Sequence, residues 1–152
     1  MFLPLQYSKS AFAQFNADVL SQVFAVDVTD ISLSDGAKAT IAGEEVVASL
    51  AFSGDYQGRM WLATEKTQIR PIIEDLLNRY QIATPVEDSA VFAEMLNMCA
   101  ANLVTAIAPY VKISIFPPDA ELPAFSSSPG KHRLAVAMQT QQAQAFIFYY
   151  AF

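Results

Sequence analysis

Between residues 9 and 24 the large apolar side chains fall at Phe12, Phe15, Val19, Leu20 and Val23. Spacings of three and four lay them along one side of a helix. Residues 27–43 are polar and contain Asp35-Gly36, which predicts a turn or a weak strand pair. Glu45–Phe52 and Gly58–Ala63 are rich in Val, Phe, Leu, Trp and Met, with Ser53-Gly54-Asp55-Tyr56-Gln57 between them. That pattern predicts a β-hairpin, with Gly54 and Gly58 serving turn geometry. From Thr64 to Tyr80 the spacing turns helical again through Ile69, Ile72, Ile73, Leu76 and Leu77. Pro71 has no N–H, so this helix must begin near Thr67 or kink.

Thr84-Pro85-Val86-Glu87 has the form of a capping box, with Thr84 as N-cap, Pro85 at the first helical position and Glu87 three residues after the cap. The helix it opens runs to about Ala108, before Pro109, a length of roughly 35 Å. Tyr110–Phe116, His132–Thr140 and Ala143–Tyr150 read as strands, the first ending at Pro117-Pro118 and a loop filling Pro123–Gly130. The terminal run Ala145-Phe146-Ile147-Phe148-Tyr149-Tyr150-Ala151-Phe152 is apolar on both faces of a strand. Left at a free edge it would invite aggregation, so it belongs at the centre of a sheet or against another chain. With no repeat and no linker, residues 1–152 form one domain. The expected class is α+β, a mixed, largely antiparallel sheet covered by long helices.

Composition narrows the function. The 152 residues are 53% hydrophobic and 16% charged, which excludes disorder. Nine Lys and Arg against fifteen Asp and Glu argue against a nucleic-acid partner. One Cys and one His can make neither an internal disulfide nor a common structural zinc site, so no metal ligands are assigned. The first six residues lack a cationic start and a long apolar stretch, so they make a poor signal peptide. The uncharged runs 95–111 and 134–152 are interrupted by Asn97, Asn102 and Pro109 and by four Gln. Neither matches a bilayer span, and a cytoplasmic protein without a membrane partner is expected.

No P-loop, GxGxxG or GxSxG motif is present. His132 lies in Lys131-His132-Arg133 at a loop-to-strand junction and reads as a solvated surface side chain. Cys99 and Trp61 read as buried. The long helix is the informative segment. Phe92, Leu96, Cys99, Leu103 and Ile107 share one face, which must be the core side. Glu87, Ala90, Glu94, Asn97 and Ala101 share the opposite one. Glu94 and Asn97, three apart, point the same way, and the small Ala90 and Ala101 leave them uncrowded. Either a second surface approaches there, or this is an ordinary polar face with Ala as a helix former.

Glu94-Met95-Leu96-Asn97-Met98-Cys99-Ala100-Ala101-Asn102 resembles the ExxN signature of the CheC/CheX/FliY family of chemotaxis phosphatases, and in its E-x-x-N-x-x-x-G-N form the CheX branch. Leu50–Met60 is similar to that branch's strand–SGD–xxG–strand element, and Ile113-Ser114-Ile115-Phe116-Pro117-Pro118 to its strand ending in Pro-Pro. The three elements come in the family's order, and the resemblance covers roughly residues 45–152. Ala90 stands where the family often has Asp or Ser, Ala101 stands for its Gly, and the following Pro lies at a slightly shorter spacing.

The resemblance implies a CheC-like fold and an enzyme, a protein phosphatase acting on the phospho-aspartate of a CheY-like response-regulator receiver domain. It implies Glu94 and Asn97 as catalytic residues, and Glu87, Ala90 and Ala101, which share their helix face, are expected to be partner-facing. An aspartyl phosphate is already reactive, and the receiver brings the Mg²⁺ and a Lys, so the chain needs no cofactor of its own. Positioning and charge stabilisation dominate phosphoryl transfer. Asn97 would orient the attacking water, since a carboxamide donates and accepts hydrogen bonds without titrating. Glu94 would pair with a receiver cation. The resemblance also implies a homodimer formed through the sheet. The alternative is a non-catalytic adaptor of the same fold, binding a receiver or a flagellar or signalling protein.

Overall fold

The computed structural model describes residues 9–34, 41, 43–79, 81, 87–108, 111–118 and 132–152. Helix α1 (Lys9–Phe24) leads into strand β1 (Val28–Ser34), and β2 (Glu45–Gly54) and β3 (Gly58–Glu65) form the expected hairpin. Helices α2 (Lys66–Arg79) and α3 (Asp88–Ile107) follow, then β4 (Ile113–Ile115), β5 (Arg133–Thr140) and β6 (Ala145–Ala151). The six strands form one sheet in the order β1-β5-β6-β3-β2-β4. Every pairing among them is antiparallel. The α+β class expected from the sequence, an antiparallel sheet covered by helices, is the one observed.

The apolar last strand takes the first of its two expected places. β6 lies between β5 and β3 and is hydrogen-bonded along both edges within the chain. β1 is not half of a local pair: it zips onto β5, with Val28 opposite Thr140 and Ser34 opposite Ala135. Asp35-Gly36 lies outside the described residues. Of the helices, α1 and α2 begin where expected, α2 one residue before Thr67, and only α3 begins elsewhere. α3 starts at Asp88 with Glu87 as N-cap, in extended backbone and with no side-chain cap bond. Glu87 is therefore not the third residue of a capping box, and Thr84-Pro85-Val86 lies outside the described residues. Pro71 is the sixth residue of α2, so the Thr67 carbonyl loses its usual helical donor.

Alternation along the strands divides the sheet into two faces. One carries Leu50, Met60, Leu62, Val136, Phe146, Phe148 and Tyr150 into the core with the helices. The Phe24 ring of α1 meets Phe146 of β6 at 5.1 Å and Phe92 of α3 at 6.2 Å, both edge-on. Inside this packing, Asn16 donates to the Phe12 carbonyl at 2.8 Å and accepts from the Tyr150 hydroxyl, which fixes α1 against β6. The reverse face carries Trp61, Ala63, Ala135 and Ile147, all buried.

α3 holds its place through Phe92, Met95, Leu96, Cys99, Ala100, Leu103 and Ile107, all buried. Four of these are Leu, Ile or Phe. At about 1.5–3 kcal/mol each, as an upper bound, they supply roughly 6–12 kcal/mol without any help from the outward face. By length and a mean hydropathy of 1.5, α3 also has the makings of a bilayer span, which the interruptions at Asn97 and Asn102 had argued against. A buried core helix meets the same test, and α3 packs on β2 and α1.

Candidate functional site

The outward line of α3 is the one expected. Glu87, Ala90, Glu94 and Ala101 are exposed, and Asn97 is half-buried among them. Glu94 and Asn97 sit about 4.5 Å apart along the axis at about 1.5 Å per residue. Neither side chain has a hydrogen-bond or ion-pair partner among the described residues. No buried side-chain nitrogen or oxygen among them lacks a partner, so the Asn97 amide meets solvent rather than a sealed void. An acid and a carboxamide, one turn apart and both uncommitted, can accept a cation and hold a water respectively. The flanking Ala90 and Ala101 project only a methyl each, so a second surface can come close to the helix.

Both ends of α3 are braced away from this line. At the N-terminal end, Arg70 of α2 pairs with Asp88, the first residue of the helix, and with Glu74 at 3.2 Å. The hydrogen bond to Asp88 pushes Arg70 further above its already high proton affinity. At the C-terminal end, Asp55 donates its N–H to the Lys112 carbonyl at 2.9 Å, and its carboxylate accepts the Lys112 N–H at 2.8 Å. This two-bond clamp ties the β2–β3 turn to the segment between α3 and β4. Gly54 makes it possible: its φ is +134°, and a Cβ there would stand 2.4 Å from the Lys112 oxygen.

By residue type alone, Gly54 and Gly58 both belong to turn geometry. For Gly54 the positive φ agrees. Gly58 has another reason: a Cβ would lie 2.1 Å from the Ala151 carbonyl, so glycine is needed for the close passage of the chain beside β3. Asp55 and Arg70 had no assigned role. An Asp following Gly in a hairpin loop is a recognisable backbone acceptor, so Asp55 could have been suspected. The Arg70–Glu74 pair is visible at i, i+4, but Asp88, eighteen residues on, is a tertiary partner.

The remaining candidates fall where expected. Cys99 is buried on the inward face, and burial pushes its thiol up, away from nucleophilic chemistry. Trp61 is buried, although on the reverse face of the sheet. His132 is exposed, its backbone paired with Phe152 and its ring 5.4 Å from the Phe152 ring. Lys131 lies outside the described residues.

A single antiparallel sheet, backed by a helix with a bare acid–amide line, defines the class of this domain, and solved structures place it more closely. No family model matches the sequence, and no curated protein is similar enough in sequence to match. The chemotaxis protein CheX of Desulfovibrio desulfuricans superposes with a TM-score of 0.68 at 15% identity, over 92% of this chain and 95% of that one. CheX of Borrelia burgdorferi, solved in a complex with CheY, BeF3 and Mg²⁺, superposes at 0.61 with 16% identity, over 92% and 94%. FliY of Thermotoga maritima does so at 0.60 with 17% identity, over 92% and 84%. The chain has the CheX/CheC/FliY-type fold.

Proposed function

We propose that this chain is a cytoplasmic phosphatase of phosphorylated CheY-like receiver domains, in bacterial chemotaxis or a related two-component pathway. The observation that carries the reading is the Glu94–Asn97 pair: exposed or half-exposed, without partners among the described residues, and set on the long helix of a CheX-type fold. The Borrelia CheX complex with CheY supports a receiver as the partner.

In the reaction, a water oxygen bonds to phosphorus as the bond from phosphorus to the receiver's Asp oxygen breaks, releasing inorganic phosphate and a free carboxylate. Asn97 reaches into the receiver pocket, where its carbonyl oxygen accepts from the water and its NH₂ donates to a phosphoryl oxygen. Glu94, one turn earlier, pairs with a receiver cation and fixes the approach. Ala90 and Ala101 admit the partner surface, and Glu87 meets its rim. The Mg²⁺ is the receiver's and neutralises phosphoryl charge; this chain supplies geometry, which is most of what an acyl phosphate requires.

A second reading is favoured by Ala90 and Ala101, which depart from the family pattern: an adaptor that binds the receiver without turnover. A trace of the chain added to excess phosphorylated receiver separates the two. Many phosphates released per chain support the phosphatase; binding with an unchanged receiver lifetime gives the adaptor. A two-fold homodimer is also proposed, on the resemblance alone, because β6 is already paired on both sides. The outermost described strands, β1 and β4, are where a second copy could add to the sheet.

A further inference from the structure

The charge on the outward line of α3 is not confined to Glu94. Glu87, at the N-cap, and Glu94 are seven residues apart, which separates their Cα atoms by about 10 Å along the axis. Both are exposed. Glu87 occupies the N-cap, a place where a carboxylate commonly bonds to the helix N–H groups, yet its side chain makes no cap bond. Nor has it another partner among the described residues. Its neighbour Asp88 is different, being neutralised by Arg70. α3 itself has no Lys or Arg. Among the described residues, then, Glu87 and Glu94 are two uncompensated negative charges, one beside Asn97 and one about 10 Å further along the axis.

We propose that Glu87 is a specificity-determining residue: it selects receiver domains that carry a Lys or Arg on the pocket rim, about 10 Å from the cation that Glu94 meets. This rests on the reading of Asn97 and Glu94 as the phosphatase site and deepens it by naming which receivers are taken. Glu94 alone reads only the cation in the receiver's pocket, not the charge on its rim. A second charge at fixed spacing rejects those with a neutral or acidic rim, because like charges brought together are costly while one exposed pair gains little. Discrimination therefore comes mostly from refusal.

The test uses receiver domains of the source organism, charged with acetyl phosphate for turnover or with beryllofluoride for binding. Against a receiver that the wild type dephosphorylates, Glu87→Gln should weaken binding about threefold and Glu87→Lys about tenfold at low ionic strength. Both losses should shrink toward none at about 0.5 M salt. Reversing the rim cation of the receiver to Glu should restore binding of Glu87→Lys, which a merely structural role for Glu87 would not do. Unchanged affinity of both variants, a loss insensitive to salt, or no rescue would overturn the selectivity role. The phosphatase reading would then still stand on wild-type phosphate release. No release from any receiver would overturn that reading, and this one with it.

Discussion

Replacing Gly54 with Ala tests how the turn beside α3 is built. The backbone there has φ +134°, a conformation that costs a residue with a Cβ about 1–3 kcal/mol. The new methyl would also stand 2.4 Å from the Lys112 carbonyl oxygen and 3.2 Å from Ile113 Cα. Relief to ordinary contact needs the two segments to part by most of an ångström. That movement breaks the Asp55 N–H bond to the same carbonyl, now 2.9 Å, and strains the Lys112 N–H bond to the Asp55 carboxylate, now 2.8 Å. With the two hydrogen bonds at about 0.5–1.5 kcal/mol each, the loss totals roughly 2–6 kcal/mol. Asp55→Ala removes only the second bond, in an exposed setting, and should cost about 1 kcal/mol. Urea unfolding reads both as a lower midpoint at constant slope. A Gly54→Ala protein within about 1 kcal/mol of wild type would refute both the steric and the conformational argument.

Glu94→Lys should weaken association with a phosphorylated receiver more than Asn97→Ala does, by an amount that shrinks with salt; equal affinities at low ionic strength would contradict the docking role of Glu94. The buried Cys99 thiol and Tyr150 hydroxyl are both pushed above their ordinary values of 9.0 and 10.0, mainly by desolvation. The folded state thus favours their protonated forms. Their contribution is complete below about pH 9 and is lost as pH rises, by up to about 1.4 kcal/mol per pH unit for each group. Thermal unfolding should show a falling midpoint from about pH 9, with the onset moved toward pH 10 in Cys99→Ala; a flat profile to pH 11 would contradict it. Light scattering at micromolar concentration should give twice the chain mass of 16.6 kDa, and a single species at that mass would refute the dimer.

What was legible in the sequence was whatever local periodicity controls. α1 and both faces of α3 follow from spacings of three and four, and the β2–β3 hairpin follows from two apolar runs around a glycine loop. Long-range pairing was not legible. β1 is polar because it lies at the sheet's outer edge, and its partner β5 is separated from it by about a hundred residues of chain. The helix start was not legible, because Glu87 holds the N-cap without using its side chain, which leaves no capping signal in the residue type. The Glu94–Asn97 line was visible as an amphipathic face, but its freedom from partners among the described residues, Arg70's hold on Asp88 and the Asp55–Lys112 clamp are tertiary facts.

On the proposed function, Asn97 on the outward line of α3 speeds hydrolysis of a receiver's aspartyl phosphate. The most direct measurement is the decay of a phosphorylated receiver alone, with wild-type chain, and with Asn97→Ala, each variant first shown to unfold at the wild-type midpoint. Losing a preorganised hydrogen-bonding group should raise the barrier by about 2–4 kcal/mol, or roughly 30- to 1,000-fold in rate. The wild type should accelerate the decay, and with Asn97→Ala it should run near the unassisted rate. Equal acceleration by the two folded proteins would contradict it.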